Sequence, residues 1–76
     1  MIREHDRIVL KTTIAAKGLE AGDVGTIVHI YRGGAAYEVE FTTLVGITAA
    51  VVTVEASRVR PVHNNEITHA RELRVR

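Results

Sequence analysis

Hydrophobic and polar positions alternate in short bursts along this chain, and glycines and small polar residues separate the bursts. Between Asp6 and Lys11, Ile8 and Leu10 fall on one side of an extended chain, and Arg7, Val9 and Lys11 on the other. A period of two over a short β-branched run predicts a half-buried strand. Thr12 to Gly22 lacks that period and reads as a long loop, pinned to the core by Leu19 and Ile14. Gly22-Asp23 is a turn signal, and Gly25 marks a bulge or a close backbone approach. A second strand is expected from about Val24 to Tyr31, followed by Arg32-Gly33-Gly34, whose glycines supply the positive φ of a short hairpin. In the third strand Tyr37, Val39 and Phe41 face one way, and Glu38 and Glu40 the other. Thr43 to Gly46 turns the chain again. A fourth strand spans Ile47 to Val54, Glu55 to Arg58 fits one 3₁₀ turn, and Val59 to Val62 forms a short last strand. Pro61 cannot donate to a ladder and suits an edge or a strand end.

Five short strands at close spacing, with one long first loop and tight later connections, predict an all-β domain built as a small five-stranded SH3-like barrel. The barrel is expected over residues 6–62, after an N-terminal arm at 1–5 and before a C-terminal tail at 63–76. The tail reads three ways. Asn65 can cap a short helix carrying Ile67, Ala70 and Leu73, although isolated helices of this length are marginal in water. Glu72-Leu73-Arg74-Val75-Arg76 alternates as an extended or docked strand does. Disorder is the third reading.

Composition narrows the chemistry. A chain of 76 residues makes one domain, and it buries only about 60% of its unfolded surface, so the core is small. Cysteine is absent, which excludes disulfides and thiolate metal sites and leaves packing or oligomerisation to stabilise the fold. The charged start, Met1 to Arg7, has no apolar segment of a signal peptide. The longest apolar run, Ile47 to Val54, falls short of the roughly 18 residues of a membrane span. The expectation is a soluble cytoplasmic protein. Residues 1–62 carry seven basic and seven acidic side chains, so the barrel region is neutral, and the surplus cations are Arg71, Arg74 and Arg76 in the tail. A nucleic-acid binder normally shows a basic stripe instead.

The stretch Leu19 to Val28, with Gly22-Asp23-Val24-Gly25-Thr26-Ile27-Val28, resembles a family of small bacterial SH3-like proteins classed as a domain of unknown function. Asp6 to Leu10, Tyr37-Glu38-Val39-Glu40-Phe41, Val52-Thr53-Val54 and Ala56-Ser57-Arg58-Val59-Arg60-Pro61 match its other motifs. The resemblance covers about residues 6–62. Ala15 departs from it, standing where a proline is expected, and the tail lies outside it. It implies an SH3-like fold, no established activity, and a place as the accessory or antitoxin-like member of a two-gene cassette, hence a protein partner. It transfers no catalytic or ligand residues.

Nothing in the sequence assembles an active site. His5, His29, His63 and His69 show no one-turn helical spacing of a zinc site, and read as surface side chains. Ser57 is the single serine, and its place in a turn suits local backbone bonding rather than nucleophilic attack. Glu38 and Glu40, about 7 Å apart on one strand face, read as a solvated surface. The glycines lack the lysine of a phosphate-binding loop. Catalytic residues, cofactors and metals are therefore all expected to be absent. Tyr31, Tyr37 and Phe41 are too few for a proline-peptide groove. Tyr31 beside Arg32 is the only hint of a base-stacking platform.

Strand four is the unusual element. Thr48, Ala50, Val52 and Val54 make one face, and Ile47, Ala49, Val51 and Thr53 the other, with no charge on either. One face belongs in the core. The strip Ile47, Ala49 and Val51 is the candidate self-association face. The first reading is thus a non-enzymatic protein-interaction module that forms a homo-oligomer, a dimer by preference. The alternative is a weak nucleic-acid-binding barrel using Arg32, Arg58 and Arg60 with the tail arginines. The glycine–hydrophobic stretch at Gly22 to Val28 is similar to that of KOW barrels, which supports that alternative.

Overall fold

The computed structural model describes residues 2–73. The alternating bursts form five antiparallel strands: β1 (Arg7–Leu10), β2 (Val24–Tyr31), β3 (Ala36–Thr42), β4 (Thr48–Glu55) and β5 (Val59–Pro61). They lie in a single sheet in the order β4-β3-β2-β1-β5. The first four strands meander, and the last returns to pair with β1, Val9 opposite Arg60. β4 and β5 are the two edges, so the ladder itself is open. No α-helix occurs among the described residues. Single 3₁₀ turns lie at Ala15–Lys17, Arg32–Gly34 and Ala56–Arg58.

One cluster forms the core, with Ile8, Leu10, Leu19, Ile27, Tyr37, Val39, Phe41, Val52, Val54 and Val59 all buried. It draws on both edge strands. Ile14 packs against it, and a bridge between Ile14 and Leu19 closes the long first loop on itself. Gly25 faces this core opposite Ile8. A Cβ there would stand 2.5 Å from Val39 Cγ1 and 2.9 Å from Phe41 Cε1, so the third strand can approach only because the side chain is missing. The close approach is at Gly25, but the bulge is not. Register shifts occur instead between Ile27 and His29, and between Phe41 and Thr42. The first leaves Val28 as the extra residue and sets His29 opposite Glu38 on the outer face.

The tail takes neither its helical nor its added-strand form over residues 63–73. Asn64 and Asn65 lie in a turn, and Ile67 is 94% exposed where a helix would have buried it. The chain is docked all the same. Arg60 forks onto Glu66 (2.9 and 2.6 Å). Arg71 Nε donates to Asp23 Oδ1 (2.8 Å), while its Nη2 meets Asp23 Oδ2 and the Gly18 carbonyl. Tail and sheet enclose a groove with Val9 and Val24 in its wall, and Val9 is only 8% exposed although it points away from the main core. The rest of the alternating stretch, Arg74, Val75 and Arg76, lies outside the described residues.

Candidate interaction surface

The hairpin joining β3 to β4 is built tightly around Thr43. Its N–H donates to the Ile47 carbonyl (2.8 Å), and its hydroxyl accepts from the Ile47 N–H (3.1 Å). Gly46 closes the turn at φ 91°, donating to the Thr43 carbonyl (2.9 Å). This bonding holds Leu44 and Val45 outward, 77% and 82% exposed. Ile47 (64%) and Val51 (47%) extend the apolar surface along β4. Turn tips favour Asn, Asp, Gly and Pro, so two large aliphatic residues there are out of place unless something covers them. The sequence reading missed Leu44 and Val45, although a Leu-Val pair inside a turn was the signal that could have found them.

The candidate strip on β4 is not one continuous stripe. Phe41 pairs with Ala50, but Thr42 pairs with Thr48, leaving Ala49 as the extra residue. The bulge reverses the alternation. Thr48 joins the outer face and donates to Glu40 Oε2 (2.5 Å), where Val51 also sits opposite Glu40. Val51 therefore belongs to the open outer face, Ile47 to the hairpin, and Ala49 to the wall of a groove. That groove, of about 510 Å³, lies between the tail and the hairpin. Arg7, Val9, Val24, Thr42, Leu44 and His69 line it with Ala49.

The three candidate arginines are divided. Arg60 is held by Glu66. Arg58 Nε donates to Thr12 Oγ1 (2.8 Å). Arg32 is exposed, at φ 31° in its turn. Ala56 N–H bonds to the Ala35 carbonyl (3.0 Å), so the turns bearing Arg32 and Arg58 abut while Arg60 faces the tail. Tyr37 and Phe41 are core residues, which leaves Tyr31, its hydroxyl donating to Glu38 (3.2 Å), as the one tyrosine or phenylalanine ring outside the core.

Electrostatics concentrate at the tail. Burial raises the Asp23 carboxyl, but the Arg71 hydrogen bond, the Glu20 backbone N–H and the Arg71 charge outweigh it and leave Asp23 below its ordinary value. The Arg60 hydrogen bond and the His63 backbone N–H bring Glu66 down to about 2. Both carboxylates are thus engaged as structural anions. His29 lies 3.9 Å from Glu4 and edge-on to Tyr31. Among the described residues no three His, Asp or Glu side chains gather as a metal site, and no helix is long and apolar enough to cross a membrane.

Fold and surface together define a small antiparallel sheet domain with one apolar hairpin and edge. A family model described as domain of unknown function (DUF4926) matches residues 4–61, and the chain belongs to that family. No curated protein and no solved structure matches the chain.

Proposed function

We propose that this protein is a non-enzymatic interaction module that self-associates through the β3–β4 hairpin and β4. The carrying observation is the run of exposed aliphatic side chains, Leu44, Val45, Ile47 and Val51, on a hydrogen-bonded stretch that is uncharged from Thr43 to Val54. Fully burying one such side chain contributes about 1.5–3 kcal/mol, which is large against the core of so short a chain. The sheet is read as an SH3-like barrel, because Val59 of one edge and Val52 and Val54 of the other share one core. A cytoplasmic role as the accessory or antitoxin-like member of a gene pair, next to a protein partner, is supported by the family resemblance over residues 6–62 alone. The nucleic-acid reading ranks lower, since two of its three arginines already have protein partners.

Sedimentation equilibrium on the full chain at raised concentration tests the reading. The wild type is expected at twice the 8.3 kDa chain mass, and Val51→Lys at one chain mass with its circular dichroism unchanged. A wild type that stays at one chain mass over the whole range sinks the reading.

A further inference from the structure

The two edges of the sheet are unequal. The β5 edge is three residues long, contains Pro61, and has Arg60 clamped to the tail. The β4 edge is eight residues long, and from Thr48 to Val54 it carries no charge and no proline. Proteins ordinarily blunt such an edge with lysine, proline or a covering segment. The ladder tells which backbone groups are open. Ala56 donates to Ala35, one step beyond the pair Ala36–Glu55. Bonded and non-bonded pairs alternate in an antiparallel ladder. Val54 and Val52 therefore bond to β3, and Val51, Thr53 and Glu55 turn their N–H and C=O groups toward the side on which no described strand pairs.

We propose that β4 pairs antiparallel with β4 of a second copy across a two-fold axis at Val52, joining two sheets into one. The proposal rests on the self-association reading and specifies its geometry. The bulge at Ala49 bends one end of the strand, and the Glu55 carboxylate occupies the other. The straight, uncharged stretch between them is Ala50 to Val54, whose midpoint is Val52. In that register Val51 and Thr53, the two residues with open backbone groups, become mutual partners, and the two Glu55 side chains fall at opposite ends. Glu40 of one copy then lines up with Glu38 of the other, three strand spacings away, about 14 Å. That exceeds the screening length of about 8 Å at physiological salt, so the acidic faces do not oppose the contact. A second copy also fits because, among the described residues, β4 is the one long edge without proline, the other being three residues that include Pro61. Edge-to-edge pairing then closes at two chains, where a molecule with two open edges would grow into a fibre.

Amide hydrogen exchange of the full-length chain, followed as a function of protein concentration, tests the geometry. Exchange at Val51 and Thr53 is expected to slow in proportion to the falling monomer fraction, while exchange at Val52 and Val54 is already slow in the monomer. Thr53→Pro removes an edge N–H without breaking a bond to β3, and is expected to hold the chain at one chain mass. A dimer whose Val51 and Thr53 amides stay as exchangeable as in the monomer overturns edge pairing and leaves the self-association reading standing. A chain that remains monomeric, or that gains protection there only when a different protein is added, overturns both. Should Thr53→Pro fail to fold, exchange in the wild type still decides.

Discussion

At Gly25 one missing methyl group decides whether two strands can meet. The site faces Ile8 across the ladder, and Val39 and Phe41 fill the space where a Cβ would project. Overpacking a tight core costs about 1–3 kcal/mol. Gly25→Ala is therefore expected to lose about that much stability, read as a lower urea midpoint with an unchanged slope. An unchanged midpoint shows that β3 can yield. The glycine was legible in sequence as a close approach, because a glycine inside an apolar strand has few other uses. The bulges at Val28 and Ala49 were not. Neither residue is a glycine or a proline that would mark a bulge, and only the paired register reveals that each is extra.

At the scale of elements, the strands were readable because each is short, alternating and bounded by turn residues. β3 is the clearest case, with Glu38 and Glu40 out and Val39 and Phe41 in. The tail was not readable, because its fixed points are forks to distant partners rather than a local period. Arg71 reaches Asp23 across 48 residues, and such a pairing leaves no mark on the neighbouring sequence. The forks give the tail a pH dependence. The Glu66 carboxyl falls from 4.5 to about 2 on folding. A depressed carboxyl contributes fully above its unfolded value and loses that contribution as pH falls through its folded one. Asp23 acts in the same direction. Exchange at the amides of His63, which donates to the Glu66 carboxylate, and Glu66, which donates to the His63 carbonyl, corrected for intrinsic rates, is therefore expected to accelerate between about pH 4.5 and 2 before β2 and β3 open. Protection that is flat across that window shows that the forks do not hold the tail.

For the whole molecule, charge is spread rather than sorted. Seven cations balance seven anions in residues 1–62, and the strongest pairs tie tail to sheet. A contact made by the uncharged stretch from Thr43 to Val54 should then respond little to salt. Sedimentation at about 50 and 200 mM salt is expected to give similar dimer constants, whereas contacts to nucleic-acid phosphates weaken steeply over that range. A dimer constant that falls steeply with salt would move the interface to the charged faces. The candidate surface was half legible. An uncharged strand can be read from sequence, but its edge position depends on β5 returning to β1 rather than to β4.

That return also sets an order of assembly. β2, β3 and β4 are neighbours in sequence and pair with short connections. β1 is flanked by β2 and by the last strand, and Val9 is enclosed only after Arg71 has found Asp23. Pairings between distant segments close late, because the intervening loop must first be ordered. In the folding chain the outer edge of β4 therefore forms while the sheet is still missing its final strand. Chains that meet at that stage would do so through the edge proposed for the dimer, so the hazard of misassembly is greatest before β5 docks.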